Sequence, residues 1–136
     1  MDNHDWFSWY ESLIKPSWTP SPTVISIIWQ ILYPIIFVCL IFVIVQAARG
    51  RISWWITLPF IVNFVANLLF TPIQFGLRNL WLASVDIAIV WLTIIWMAVA
   101  IWPHYRLVAV MQLPYFAWVS LATFLQFSIT WQNQGR

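Results

Sequence analysis

Charge is what this sequence has least of. Only 7% of its 136 residues are Asp, Glu, Lys or Arg, against 62% hydrophobic. A soluble domain carries about a quarter charged residues, so too little polar surface is present to face water on every side. The composition reads as an integral membrane protein. Cysteine is limited to Cys39, which excludes an intramolecular disulfide and leaves the redox compartment open. The net charge of +2 is small and scattered, which argues against nucleic acid as a partner. The acidic start Met1-Asp2-Asn3-His4-Asp5 lacks the basic n-region of a secretory signal, so none is expected. Reactive groups are equally scarce. Four acids and two histidines form no carboxylate pair, Ser–His–Asp set or metal-ligand cluster by spacing. His4 and His104, one terminal and one in a loop, are not placed to be axial haem ligands. No internal repeat, low-complexity linker or second domain interrupts the chain.

What is present in quantity is apolar length. Four runs, about 23–48, 53–75, 80–102 and 106–132, each approach or exceed the ~20 residues that a bilayer core demands. They do not alternate apolar and polar residues, which sets aside a β-barrel. The connections are a few residues long, so sequential helices should be antiparallel neighbours. Prolines fall inside or at the ends of three runs, at Pro34, Pro59, Pro72 and Pro114. Neighbouring helices in lipid can re-satisfy the freed carbonyls, and the kinks open space between helices. A kinked all-α bundle with only three glycines is a cavity builder. The first run is preceded by an aromatic, proline-rich lead-in carrying Pro16, Pro20 and Pro22. Three such residues cannot continue a helix, so an ordered lead-in is expected there, either a surface anchor or the lid of a pocket. Thr23 is expected to cap the first span. Basic residues number three on one side (Lys15, Arg78, Arg136) and three on the other (Arg49, Arg51, Arg106), a tie that sets no orientation.

Ten of the twelve tryptophans fall into two groups. Trp18, Trp54, Trp55, Trp81, Trp102 and Trp131 fall at span ends, where aromatic belts sit. Trp29, Trp91, Trp96 and Trp118 lie well inside, where an indole N–H wants an acceptor. The second run places Asn63, Asn67, Thr71 and Gln74 on one stripe, readable as helix ties or as the lining of a cavity. The last run puts Tyr115, Trp118, Ala122 and Gln126 on one face, with the small Ala122 leaving room, and the first puts Trp29 and Tyr33 one turn apart. Asp86, the one acid inside a span, is a functional candidate as an intramembrane acid, but less than two turns from the span's end it is rather expected to pair with Arg78 or to cap the helix near the interface. An aromatic-walled, sparsely polar cavity suits a flat apolar ligand.

These residues resemble the tryptophan-rich sensory protein / translocator protein family (TspO/MBR). The likeness rests on Trp9-Tyr10 with Leu13, Lys15-Pro16-Ser17-Trp18-Thr19-Pro20 and Trp29. It continues through Asn63-Phe64-Val65-Ala66-Asn67, Pro72 and Phe75-Gly76-Leu77-Arg78, then Leu82-Ala83 with Asp86, and Pro114-Tyr115 with Trp118 and Ala122. The resemblance implies a bundle like the family's five-helix fold without its first span, since eight residues precede Trp9. It also implies a commonly dimeric protein that binds protoporphyrin IX, haem or isoquinoline-type drugs, with no covalent cofactor. The family's proline-rich segment covers the pocket. Its residues matching Trp29 and Asn67 contact ligand, and the one matching Ala122 lies beside it. Phe127 stands where the sterol pattern of animal members has Tyr, and Arg136 is distant, so sterol binding is not implied.

The expectation is therefore an all-α integral membrane protein, a kinked bundle of four transmembrane helices in a bacterial cell membrane. It binds a tetrapyrrole or similar ligand as receptor or carrier, and associates with lipid and with a second copy or a partner membrane protein. The candidate ligand-binding residues are Tyr10, Trp18, Trp29, Tyr33 and Asn63, together with Asn67, Phe70, Trp91, Trp118 and Ala122. An accessory subunit of a larger membrane complex and a photochemical porphyrin-degrading enzyme are the alternatives.

Overall fold

The computed structural model describes residues 4–133, with side chains from Ser8 onward. Arg136, counted above for orientation, and the side chain of His4 lie outside that range. The elements are α1 (His4–Ser12), α2 (Pro22–Ala48), α3 (Trp54–Thr71) continued by a π-turn (Pro72–Gly76), α4 (Leu80–Ile101), α5 (Arg106–Met111) and α6 (Leu113–Gln132). Four stretches are long and apolar enough to cross a bilayer: Pro22–Ala48, Trp54–Gly76, Leu80–Ile101 and Arg106–Gln132. The protein is an all-α, multi-pass integral membrane protein.

Local chemistry sets the boundaries. Ser21, not Thr23, caps α2: its Oγ accepts from the Val24 N–H at 3.2 Å. Pro22 then occupies the first turn, where an N–H would have no partner in any case. Ser53 caps α3 through the Trp55 N–H and Asn79 caps α4 through the Leu82 N–H. The end of α2 is a Schellman motif. The N–H of Gly50 donates to the carbonyl of Ala47, that of Arg51 donates to the carbonyl of Gln46, and Gly50 takes φ +74°.

Two prolines divide what the sequence presented as continuous helices. Pro72 has no N–H to return to the preceding turn, and the ladder slips to a wider repeat, with Leu77 N–H donating to Pro72 O at 2.9 Å. Pro114 acts in the same way on the last span, which breaks at Gln112 into α5 and α6. The lead-in is also more regular than its prolines implied, since its first part forms α1.

Helix α3 packs on α4, α4 on α6, and α2 on α3. In the half of the bundle away from α1 the helices close on a dry core that includes Leu32, Ile36, Val43, Ile94 and Ile101. Belt residues Trp54, Trp55, Trp81, Trp102 and Trp131 are exposed, and so is Trp96, which faces outward although it lies mid-span. At the other end Asn133, expected in an external tail, is buried. Its Oδ1 accepts from the Ile14 N–H at 3.0 Å and its Nδ2 donates to Ile14 O at 2.8 Å. The carboxamide thus pairs with the lead-in as a neighbouring backbone strand would.

The two helix-end glycines differ in what they demand. A Cβ at either Gly50 or Gly76 meets nothing within 4 Å, but only Gly50 has positive φ. Gly50→Ala should lose roughly 1–2 kcal/mol of stability from the left-handed conformation. Gly76→Ala should be neutral or stabilising by up to about 1 kcal/mol. Paired thermal melts in lipid nanodiscs check this, and equal shifts would refute the assignment of the strain to φ.

Candidate functional site

The half of the bundle nearest α1 is not filled. A cavity of about 350 Å³ lies between α2 and α6, backed by α3 and α4 and bordered by α1. Helix α2 contributes Trp29 and Tyr33, whose rings are 5.4 Å apart. Helix α3 contributes Asn67 and Phe70 from its last two turns, and the π-turn adds Gln74 and Phe75. Helix α6 lays Trp118, Ala122 and Gln126 along the opposite wall, and α1 brings Tyr10 to the edge. Tyr10 packs edge-on against Phe75 at 5.8 Å.

Seven of the ten side chains picked out in the sequence thus share one cavity, and three do not. Asn63 is 1% exposed and lies behind the wall, where its Nδ2 donates to Val90 O at 3.2 Å and Thr93 Oγ1 at 2.9 Å. One turn of helix separates it from Asn67, and that turn decides which amide reaches the cavity. Trp91 points away from the cavity, its indole donating to Ser120 Oγ at 2.8 Å and stacking on Phe116. Trp18 lies outside on α6, stacked on Phe124 at 5.7 Å. The parts of the lead-in that line the cavity are Tyr10 and, where α2 begins, Pro22.

A chain of hydrogen bonds ties the wall together. Tyr33 donates to Asn67 Oδ1 at 3.2 Å, Asn67 Nδ2 donates to Tyr115 Oη at 2.7 Å, and Tyr115 donates to Asn63 Oδ1 at 3.1 Å. Tyr115 is fully buried, and Trp29 rests edge-on against its ring. Asn63 and Asn67 are thus hydrogen-bonded within the chain. The chain that builds this proline-kinked, aromatic-walled cavity has known relatives in sequence. The sequence profile of the TspO/MBR family matches residues 1–132.

The chain belongs to the TspO/MBR family. It is 43% identical over 128 residues to YtaB, an uncharacterized membrane protein of Bacillus subtilis, covering 92% of this chain and 80% of that one. It is 31% identical over 122 residues to the tryptophan-rich protein TspO of Bacillus cereus (90% and 78% covered). To the translocator protein of Sus scrofa it is 29% identical over 131 residues (94% and 76%).

Against this TspO/MBR framework, three features of the site went beyond what the sequence suggested. Gln74 and Gln126 line the cavity; they stood on the right stripes but carried no aromatic signal to single them out. Asp86 forms neither of the contacts expected of it. It is buried, its Oδ2 has no partner among the described residues, and Arg78 instead lies over the Trp9 ring at 5.9 Å. The lining itself carries no Asp, Glu, Lys, Arg or His. Its one polar group outside the spans, the Tyr10 phenol, is pushed up by burial and then by the Glu11 carboxylate, so the edge of the cavity is neutral as well.

The relay makes the two asparagines unequal. Asn63→Leu leaves the fully buried Tyr115 proton without its acceptor, a destabilisation of about 1–3 kcal/mol. Asn67→Leu removes the donor to the Tyr115 oxygen and frees the partly exposed Tyr33 hydroxyl, but it leaves the Tyr115–Asn63 bond in place and so costs nearer the ~0.6 kcal/mol average of an intramembrane hydrogen bond. Melts of the two variants should rank in that order, and the reverse ranking would remove Tyr115 as the centre of the relay.

Proposed function

We propose that this TspO/MBR protein is a membrane receptor or carrier for a flat, largely apolar ligand of the tetrapyrrole class, bound in the cavity between α2 and α6. The observation that carries the reading is the lining. Aromatic faces from three elements (Trp29 and Tyr33, Phe70, Trp118) surround a neutral space with a few amide groups. Small-molecule sites have this composition, apolar walls with sparse polar groups that fix orientation. The volume of about 350 Å³ is at the lower end of the roughly 300–1,000 Å³ usual for such sites. A tetrapyrrole would therefore enter by one edge, with its charged substituents left at the mouth beside the lead-in.

The donor set favours holding such a ligand by its ring face and edge. No His, Cys or Met is among the lining side chains, and no cluster of metal-binding groups occurs among the described residues. Haem iron is usually held by one of those side chains or by Tyr, and the cavity's phenols belong to Tyr10 and Tyr33, the latter already donating to Asn67. Protoporphyrin IX without metal suits this lining better than haem.

Tryptophan quenching by protoporphyrin IX in lipid nanodiscs tests the proposal. The wild type should show saturable quenching. Asn67→Leu should weaken binding roughly five- to 150-fold, the equivalent of about 1–3 kcal/mol for deleting one polar partner inside a desolvated site. Asn63→Leu should bind as the wild type does once its lower stability is allowed for, because that amide lies behind the wall. Equal weakening in both variants, or linear quenching without saturation, would sink the proposal.

A further inference from the structure

Helix α1 borders a second cavity, of about 510 Å³, that shares no lining residue with the first. It opens between α1, the connection from α3 to α4, and the end of α6. Arg78 and Asn79, from that connection, lie between the spans that end at Gly76 and begin at Leu80. Exposed Trp81 and Trp131 stand at the same boundary, so the cavity sits at the level of lipid headgroups. Arg78 is the single charged residue in its lining. It is exposed, and its guanidinium lies over the Trp9 ring at 5.9 Å. Contact with a ring face leaves the N–H donors unspent, and they meet no acceptor among the described residues. The other polar side chains of the lining sort in the same sense. The carboxamide oxygens are taken, that of Asn79 by the Leu82 N–H and that of Asn133 by the Ile14 N–H. The hydroxyls of Ser12 and Thr130 are engaged with the Trp9 and Leu80 carbonyls. The groups left over are all donors: Arg78, the Asn79 Nδ2 and the indoles of Trp9 and Trp81.

We propose that this second cavity binds an anionic phosphodiester headgroup at the membrane surface, with Arg78 as its principal contact. A guanidinium presents its N–H groups in a planar fork that matches two phosphate oxygens. The first turn of α4 supplies Leu80 and Trp81 to the lining and carries no acid, so the positive end of that helix dipole adds to the attraction. A wall of donors around one cation, without a carboxylate, is the complement of an anion. The same wall selects among phospholipids. An ethanolamine or choline headgroup would bring a second cation beside Arg78, with no Asp or Glu in the lining to receive it. A phosphatidylglycerol headgroup brings no such cation, and its hydroxyls can meet the remaining donors. Leu77 and Trp81, both exposed at the rim, give the acyl chains an apolar surface to follow. The proposal uses no residue of the first cavity and is independent of the tetrapyrrole reading.

Native mass spectrometry of the full chain in mild detergent, titrated with phosphatidylglycerol or phosphatidylcholine, tests this. The wild type should retain one phosphatidylglycerol about tenfold more tightly than phosphatidylcholine. Arg78→Gln should bind phosphatidylglycerol about tenfold more weakly, the lower end for losing a charged hydrogen bond, with phosphatidylcholine changed by less than about twofold. Arg78→Asn suits the left-handed φ of +54° at this position; it should show the same loss and guards against impaired folding of the first variant. Arg106→Gln is the matched control. That guanidinium also lies over an indole, Trp102 at 5.2 Å, but at the other membrane surface, and its loss should leave binding unchanged. Hydrogen exchange locates the site in the wild type: phosphatidylglycerol, and not phosphatidylcholine, should slow the amides of residues 9–13 and 78–82. Glycerophosphoglycerol, the same headgroup without acyl chains, separates the two sources of a phosphodiester. It should bind at least about tenfold more weakly than the lipid; equal affinity would overturn the membrane source in favour of a soluble phosphodiester. No preference for phosphatidylglycerol, an equal loss in Arg106→Gln, or unchanged exchange in both segments overturns the site itself.

Discussion

Hydrocarbon supplies no hydrogen bonds, so a polar side chain inside this bundle either pairs within the chain or stands at a cost. The Tyr115 hydroxyl is where the two asparagines of α3 meet. It accepts from Asn67 and donates to Asn63, and Asn63 in turn reaches Val90 O and Thr93 on α4. One fully buried phenol on α6 therefore joins α3 and α4 at a single height in the membrane. Lipid tails are as apolar as leucine, so burial of apolar surface does little to hold helices together here. Packing and ties of this kind do that work, and their position decides where helices can separate. Below the relay the core is dry and close; above it, toward α1, the wall can stand open.

The prolines decide the shape of that open half. Pro72 ends the regular ladder of α3 and converts its last turn to a wider one. Pro114 breaks the final span at Gln112, so α6 starts independently of α5. Neither break strands backbone in lipid. The π-turn retains its own bonds, and Gln112 O still accepts from the Phe116 N–H at 2.7 Å. The bundle thereby bends around a space without exposing the groups that bending usually frees.

Much of this was legible from residue order. Four apolar runs with short connections dictated the helices, and the spacing of Asn67, Trp29, Tyr33, Trp118 and Ala122 set five residues on faces that form the cavity wall. What the order could not encode was depth. Asn63 and Asn67 are equivalent on a helical wheel, and only the position of Tyr115 across the bundle turns one into structure and the other into lining. Trp91 is indistinguishable in sequence from Trp29 as an interior indole, and only Ser120 beside it sets the two apart. Helix continuity misleads in the same way, because a proline within an apolar run is compatible with a kink, a π-turn or a break, and neighbours in space select among them. Asn133 reads as an external tail because it follows the last apolar residue. Its side chain has a partner 119 positions away, a pairing no local pattern announces.

That pairing bears on how the cavity is closed. The lead-in is held at several places by different forces: Tyr10 and Leu13 pack with Leu125 and Ile129, Trp18 stacks on Phe124, and Asn133 grips the Ile14 backbone from the end of α6. Lys15 adds no ion pair among the described residues. Its ammonium donates to the carbonyls of Tyr10 and Leu13 and sits 4.7 Å from the Tyr10 ring centroid, so it organises the lead-in from within. Lifting the segment off the cavity would break two hydrogen bonds to Asn133 and a small aromatic–aliphatic cluster, but not this internal knot. The contacts that hold it in place fall mainly on α6, the same helix that carries Trp118 and Ala122 on the cavity wall.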